Sequence, residues 1–370
     1  MLVMLQINMQ KKWSRTVIVL CVFILQIIAY SILFSFQQVN NFIIHYITFP
    51  ISGFVARITN KVSFPVGEFF YLFLAFIAIY FLVKLIKISF KKREQLPQLL
   101  TQIFIFINII YFVYMFAWGI MYKKETLSFN LKEIKIDPKT LKTIYCEELN
   151  KAIYSRNQIN HSSQKTVQFE STLKDYNTEF FKLQVHVKEL DWLKNYRFLE
   201  HAHYKLSNIS MLQNYLGILG YYNPFSVEAN LNEYNTNLKQ PSTMFHEYGH
   251  QMGFASESEA NFLAYYLGSK SKNPEINYAV YYKSVYSLLG AIYKSDPYFV
   301  KMELDNMHPK IVADRKAEID YYAKYEGKTS DTFSELNNQF LKVNDQEGTI
   351  SYSKYVELIY YLYQTKKGTE

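Results

Sequence analysis

The sequence reads His246-Glu247-Tyr248-Gly249-His250 in the polar part of a 370-residue chain. On a helix, residues four apart share a face, so His246 and His250 can present two imidazole nitrogens to one cation. Glu247, next round the helix, then lies over that cation. We therefore expect His246 and His250 to bind Zn²⁺ and Glu247 to act as the catalytic base.

The residues on either side of the motif predict where its helix begins and ends. The run Pro241 to Thr243 predicts a helix start with Ser242 as a cap, and Gly253 predicts a left-handed helix end. Ser256 and Glu259 have the spacing of a capping box, which predicts a second helix directly after the turn. The sequence thus predicts helix, tight turn and helix across one metal site.

A catalytic zinc site needs a third protein ligand if one position is to stay open for water. We expect Glu257 to supply it, because the first turn of the second helix faces back towards the two histidines. Glu259 is the competing candidate, although the capping box already explains it. An acid at position 257 is also favoured by the helix dipole alone. Asn261, one turn further on, is expected to orient a ligand by hydrogen bonding.

Other potential metal ligands form weaker patterns. His201 and His203 alternate as neighbours on a strand would, and they could form a second metal site, but no third ligand is evident. The two cysteines, Cys21 and Cys146, are too few for a disulfide framework or a thiolate metal site.

The first third of the chain is strongly apolar and predicts a membrane anchor over residues 1–122. Three stretches are long and apolar enough to span a bilayer, at about residues 16–36, 65–86 and 99–121. The second could instead be a buried soluble helix. Between the first two, the spacing of apolar residues from Ile51 to Val62 predicts a helix lying in the membrane interface, and a plain connecting loop is the alternative.

The charge distribution predicts the orientation of this anchor. The formal net charge is +8, but the basic clusters flank apolar runs, so membrane topology explains them better than nucleic-acid binding. Lysine and arginine precede the first span and surround the link between the second and third. We expect a cytoplasmic N-terminus and a domain of residues 123–370 outside the cytoplasmic membrane.

This outer domain is predicted to be a mostly helical α+β fold with a small sheet, similar to zincins. Leu141 to Ile153 is amphipathic, Gln184 to Lys188 alternates like a strand, and Gly217 to Leu231 is β-rich with a break at Asn223-Pro224. The aromatic run from Asn277 to Lys294 is predicted to be a core helix, and Tyr352 to Tyr363 a closing helix.

Two resemblances add to this reading. The run Glu257-Ser258-Glu259-Ala260-Asn261 resembles the glutamate helix of gluzincin metallopeptidases, which implies that Glu257 is a zinc ligand. The six residues between His250 and Glu257 are fewer than most gluzincins have. Nearly the whole chain resembles a bacterial membrane-protein family, domain of unknown function 3810, on the segments 64–68, 118–122, 220–225, 246–267 and 351–352.

Three functional hypotheses follow from these patterns. The first is a membrane-anchored zinc metallopeptidase that cleaves peptide or protein substrates at the outer face of the cytoplasmic membrane. The second is a catalytically inactive zinc-binding envelope protein that acts in binding or assembly, with a closed site that has no use for Glu247. The third, an intramembrane protease, is disfavoured because the motif lies far beyond the last predicted span.

Overall fold

The computed structural model describes residues 2–124, 135–159, 165–190, 196–200, 203–343 and 351–367. Within it the chain forms two compact units. The first unit comprises Met1–Thr59, Val66–Lys124 and Pro224–Ser226. The second unit comprises Asn60–Pro65, Glu125–Asn223 and Val227–Glu370.

The first unit is entirely helical in its described part. Its elements are α1 (Leu2–Leu33), α2 (Gln37–Ile43), a π-helical segment (Ile44–Thr48), α3 (Phe49–Thr59), α4 (Val66–Lys91), α5 (Leu96–Ala117) and a 3₁₀ turn (Gly119–Lys123). Four stretches are long and apolar enough to cross a membrane, namely Gln10–Leu33, Gln37–Thr59, Val66–Phe90 and Arg93–Ala117. The predicted number of three candidates was therefore wrong.

The additional candidate, Gln37–Thr59, was missed because polar residues interrupt its apolar sequence. Asn40 is one of them, and its side chain is buried rather than solvated. Its Nδ2 donates to the carbonyls of Phe34 at 2.8 Å and Lys123 at 3.2 Å. The predicted interfacial helix from Ile51 to Val62 corresponds to α3, which continues directly from α2 and the π-helical segment.

Helices α1 and α5 pack in parallel. Thr16, about halfway along α1, donates its Oγ1 to the carbonyl of Pro97, near the start of α5, at 2.8 Å. Near the end of both, the rings of Tyr30 and Phe116 are 5.7 Å apart. The chain therefore leaves α5 at the end of the unit opposite to the start of α1.

Helix α4 runs antiparallel to α5. Lys84 Nζ, in the last part of α4, lies 3.5 Å from Oε1 of Gln102 in the first part of α5. We call the end of the unit that contains Thr16, Lys84 and Pro97 the basic end, and the end that contains Phe116 the distal end. The lysines and arginines in the first half of α1, in the last part of α4 and between α4 and α5 all belong to the basic end.

The second unit contains a three-stranded sheet formed by β1 (Tyr204–Leu206), β2 (Gly220–Asn223) and β3 (Glu228–Leu231). The strand order is β1-β3-β2, with β1 parallel and β2 antiparallel to the central β3. The turn between β2 and β3 begins at Pro224, as predicted from Asn223-Pro224. Every residue of β3 is buried, and its Glu228 forms an ion pair with Lys205 of β1.

Helices make up the rest of the second unit. They are α6 (Pro138–Gln158), α7 (Leu173–Leu183), α8 (Ser210–Leu216), α9 (Gln240–Gln251), α10 (Glu257–Ser269), α11 (Pro274–Tyr293), α12 (Pro297–Asp305), α13 (Pro309–Tyr322), α14 (Lys328–Val343) and α15 (Ser351–Lys367). Proline in the first turn and a capping side chain set the start of several; Asp137 caps α6 and Asn273 caps α11. The mostly helical fold with a small sheet agrees with the prediction.

The predicted strand from Gln184 to Lys188 is wrong, because these residues form a 3₁₀ turn, Gln184–Glu189. The buried residues are Gln184 and Val187, which are three apart and therefore share a face of a 3₁₀ helix. The Gln184 amide donates to the carbonyl of Leu199 at 3.0 Å and accepts from its N–H at 3.1 Å. The main chain of Leu199 thus satisfies the polar side chain of Gln184, which a strand would have exposed to solvent.

The core of the second unit surrounds α10 and α11. Helix α11 packs against α6 and α9, and α10 packs against α9, α11 and α15. Arg156 of α6 and Asp314 of α13 form a buried ion pair at 2.7 Å, and Tyr278 of α11 donates to the same carboxylate at 2.7 Å. The core helix predicted from Asn277 to Lys294 and the closing helix after Tyr352 correspond to α11 and α15.

Candidate metal centre

The motif helix α9 ends in a Schellman turn. The N–H of Phe254 donates to the carbonyl of Gly249 at 3.1 Å, and the N–H of Gly253 donates to that of His250 at 2.9 Å. Gly253 has a φ of 97°, as its position in the sequence predicts. The helix begins earlier than predicted, with Lys239 as N-cap, and Ser242 lies in the first turn and donates to the Lys239 carbonyl.

This turn also fixes the His250 side chain. The carbonyl of Phe254 lies 2.6 Å from Nδ1 of His250, which makes Nδ1 a donor. In the neutral imidazole the lone pair is then on Nε2, the atom that faces His246 and Glu257. Such an outer hydrogen bond is what sets the tautomer and ring orientation of metal-binding histidines.

The side chains of the three predicted ligands converge. Nε2 of His246 and Nε2 of His250 are 3.1 Å apart. The carboxylate oxygens of Glu257 lie 3.2 Å from His246 Nε2 and 3.5 Å from His250 Nε2. Glu257 is the first residue of α10, so the two-helix turn brings its side chain back over the histidines as the sequence suggested.

The donor set fits a zinc ion. Ligand atoms about 2.0–2.1 Å from a tetrahedral Zn²⁺ are about 3.3 Å from one another. The three separations, which involve both carboxylate oxygens of Glu257, lie close to this value. Two imidazoles and one carboxylate are also a known set for catalytic zinc, with one position left for water. Nδ1 of His246 and Oε2 of Glu247 are buried with no hydrogen-bond partner among the described residues.

The protonation behaviour of the site reflects the same convergence. Burial opposes a charged His250, but the Glu257 carboxylate outweighs it and raises the pKa of His250 to about 9. Burial lowers the pKa of His246 to about 4. Burial also opposes an ionised Glu257, yet the two histidines hold its pKa well below the usual value. These directions favour a charged His250 paired with an ionised Glu257 and a neutral His246.

Glu247 occupies the position expected of a base beside the metal. A carboxylate oxygen of Glu247 and one nitrogen of each histidine all lie within 4.8 Å of one another. Its side chain is buried, and burial raises the pKa of Glu247 to about 8. A Cβ added at Gly220, the first residue of β2, would lie 3.0 Å from Oε1 of Glu247. The start of the edge strand β2 therefore packs directly on this carboxylate.

Glu259, the competing ligand, points elsewhere. Its Oε2 accepts a hydrogen bond from the hydroxyl of Tyr196 at 3.3 Å. The predicted capping box is not formed as expected, because Ser256 is the N-cap of α10 but makes no side-chain cap bond. The Ser256 hydroxyl contacts the Ser258 hydroxyl at 2.8 Å instead. Of the two acids in this turn, Glu257 is the one brought to the histidines.

Lys283 is a site residue that the sequence interpretation missed. Its ammonium donates to Oδ1 of Asn261 at 2.6 Å, linking α11 to α10. Burial lowers the pKa of Lys283 to about 8, while Glu257 and Glu247 act in the opposite direction. Its charge is thus felt by both carboxylates of the site. The available signal was a lone lysine inside the apolar and aromatic run that became α11.

The remaining predicted candidates are less informative. Asn261 contacts Lys283, and its predicted role in orienting a ligand stays a prediction. The ring centroid of Tyr222, in β2, lies 6.5 Å from that of His250. His201 lies outside the described residues, and His203 precedes β1. Within the described ranges, the one group suited to a metal ion contains His246, Glu247 and His250.

The chain belongs to the family described as "Protein of unknown function (DUF3810)", whose model matches residues 44–360. This match covers most of both units and includes the whole candidate metal centre. No curated protein and no solved structure matches the chain.

Proposed function

We propose that this protein is a membrane-anchored, zinc-dependent metallopeptidase. The observation that carries the proposal is the convergence of the His246, His250 and Glu257 side chains, whose two imidazole Nε2 atoms lie 3.1 Å apart and 3.2 and 3.5 Å from one or the other carboxylate oxygen. Glu247 lies beside these three side chains. This arrangement supports hydrolysis, because a site with three protein ligands leaves one position for water and a buried carboxylate next to it can act as a base.

The residues of the chain divide the work of peptide hydrolysis between them. Bound zinc would lower the pKa of a water molecule to about 7 and polarise the substrate carbonyl. Glu247 would take a proton from the attacking water and deliver it to the leaving amine. His250 is held by the Phe254 carbonyl, and the charge of Lys283 interacts with the carboxylates of Glu257 and Glu247.

The second candidate is an inactive zinc-binding protein of the envelope. The observation in its favour is that a Glu247 oxygen lies within 4.8 Å of both histidine nitrogens. A modest movement of this carboxylate would make it a fourth ligand and close the site. The two candidates therefore assign different roles to the same residue, base or ligand.

We also propose that the first unit spans the cytoplasmic membrane with its basic end in the cytoplasm. Both clusters of lysine and arginine belong to this end, and cytoplasmic loops carry such an excess. Because α1 and α5 are parallel, the chain after α5 then starts outside the cytoplasm. This topology puts hydrolysis of extracytoplasmic peptides or proteins within reach of the chain, with the lipid bilayer as its other partner.

Metal analysis of the purified full chain beside its Glu247→Gln variant tests the function. We expect about one zinc per chain in both proteins, since the change spares the three ligands. Hydrolysis of a fluorescence-quenched peptide library should fall by about 100-fold or more in the variant, because proton transfer contributes that much. His186→Gln, an exposed histidine that contacts Glu189, serves as a matched control and should change neither quantity.

Each alternative outcome has a definite meaning. Loss of zinc from Glu247→Gln would show that Glu247 is a ligand and would support the closed, inactive site. Unchanged hydrolysis with zinc retained would rule out Glu247 as the base. Absence of zinc from the unaltered protein would overturn both candidates.

A further inference from the structure

We propose that residues 37–59 form a membrane-embedded segment that does not cross the bilayer. The segment comprises α2, the π-helical turn and α3, and it lies against the distal end of the first unit with one face turned to lipid acyl chains. By length and composition it could have crossed. Its contacts argue otherwise.

Contacts along the whole segment go to the same end of the unit. Near its start, Asn40 donates to the carbonyl of Lys123, just after α5. In its middle, Thr48 Oγ1 donates to the carbonyl of Phe116 at 2.8 Å. At its last residue, Thr59 Oγ1 donates to the carbonyl of Ser226 at 3.0 Å.

The contact at Thr59 also belongs to the distal end. Phe225, the neighbour of Ser226, lies 5.0 Å from the ring of Phe70 in the first turns of α4. It also lies 6.5 Å from the ring of Tyr114 near the end of α5. Both of these are ring-centroid distances. The start, middle and last residue of the segment are therefore anchored at one level of the helical unit.

A crossing helix would have placed Thr59 at the basic end. The two levels are separated along α5 by the residues from Pro97 to Phe116, which at 1.5 Å per residue is about 28 Å. Thr59 would then have neighbours such as Thr16 or Gln102. The bond to Ser226 fixes it at the other level.

The distribution of polar and apolar residues in the segment indicates that lipid covers its outer face. The side turned inward carries buried residues that are mostly small or polar, namely Asn40, Ile43, Ile44, Thr48, Ser52, Ala56 and Thr59. The side turned outward carries, beside His45 and Arg57, large apolar residues that are more than half exposed, namely Phe42, Tyr46, Ile51, Phe54 and Ile58. A water-facing helix would show the reverse pattern, so an apolar solvent is required. The lipid-facing residues of α4 and α5 continue this surface within the same unit.

Cysteine labelling of the full chain in right-side-out membrane vesicles tests the path of the segment. Cys21 and Cys146 are replaced by serine, and single cysteines are introduced by Ser35→Cys, Lys61→Cys or Lys92→Cys, all at exposed positions. We expect a membrane-impermeant maleimide to label positions 35 and 61 from one side and position 92 from the other. Labelling of position 61 from the same side as position 92 would show a full crossing and overturn the proposal.

A second measurement tests the occupant of the outer face. An environment-sensitive fluorophore is attached to the cysteine of Phe54→Cys, and the protein is placed in vesicles of phosphatidylethanolamine and phosphatidylglycerol. Val343→Cys, at an exposed position of α14, is labelled in the same way as the control. Nitroxide-labelled lipids should quench the fluorophore at position 54 and not at 343. Efficient disulfide crosslinking through position 54, without quenching, would identify a second copy of the chain as the occupant instead of lipid. Neither measurement depends on zinc or hydrolysis, so failure here and failure of the proposed activity are distinguishable.

Discussion

His250 is held by groups on both edges of its ring. On one edge the Phe254 carbonyl accepts from Nδ1, and on the other Nε2 faces Glu257 and His246. All of these partners lie within eleven residues of each other in the sequence. The helix period and the tight turn fix their relative positions, and this is why the convergence of His246, His250 and Glu257 could be predicted from sequence alone.

Replacing the two acids of the α10 start separately tests the third ligand. Glu257→Ala should lower zinc affinity by more than about 100-fold, which is the upper end for a residue outside the ligand set. Glu259→Ala should keep the metal and lose only the Tyr196 hydrogen bond, at a cost of about 1 kcal/mol in unfolding free energy. Zinc titration against a competing chelator, with thermal unfolding of both variants, gives the two quantities.

The reverse result would change the assignment. If Glu259→Ala released the metal and Glu257→Ala did not, the turn between α9 and α10 would have to rearrange on metal binding. Equal zinc affinity in both variants and the unaltered protein would show that neither acid is a ligand.

The sequence could not predict which distant residues the tertiary structure brings to the site. Gly220 reaches Glu247 through the sheet, and Lys283 reaches Asn261 through the packing of α10 and α11. Neither position has a fixed spacing from the motif. A pattern can report a neighbour four residues away, but it cannot report which strand or helix a fold will pack against it.

At the scale of the elements, the link between α9 and α10 depends on one backbone conformation. Gly253 adopts a positive φ, and the carbonyl that orients His250 belongs to the next residue. A conformational change at Gly253 would therefore move a hydrogen-bond acceptor of the metal site. The Schellman turn both ends the helix and orients the His250 side chain.

Gly253→Ala should weaken the fold and the metal site together. An L-residue in this conformation costs about 1–2 kcal/mol, and the displaced Phe254 carbonyl should lower zinc affinity by about 10-fold. Gly217→Ala is a matched control, because Gly217 also has a positive φ, of 71°, and a Cβ there meets nothing within 4 Å. Thermal unfolding should show similar losses for both, and zinc titration a loss for Gly253→Ala alone. Equal zinc affinity in the two variants would remove the turn from the metal site.

Elements were predicted well where one periodicity dominated and poorly where two competed. Helices α6, α11 and α15 have long amphipathic or aromatic patterns and were found. Gln184 to Lys188 alternates over too few residues to exclude a turn of period three, and its main-chain partner at Leu199 is not local. The segment from Gln37 was overlooked because polar residues interrupt its apolar sequence. One of them, Asn40, is buried and donates to main-chain carbonyls of its own unit.

For the whole molecule, the parallel packing of α1 and α5 makes a prediction about the side of the membrane. Protease added to spheroplasts should degrade the chain after Lys123 while the N-terminus stays protected, since the two lie at opposite ends of the first unit. An epitope tag at each terminus, followed by immunoblotting, reports the two regions separately. Permeabilised spheroplasts provide the control in which both tags are lost. Protection of the C-terminal tag in intact spheroplasts would contradict the proposed orientation.

The same packing has a consequence for biosynthesis. Thr16 of α1 finds its hydrogen-bond partner in Pro97, and Tyr30 packs against Phe116, so the neighbour of the first helix is the last one of the unit to be made. Chains emerge from the ribosome at about 5–20 residues per second. The face of α1 that contacts α5 therefore stays uncovered for several seconds after α1 has been synthesised. An insertion factor that shields this face until residue 117 has emerged would suit the order in which the unit is built.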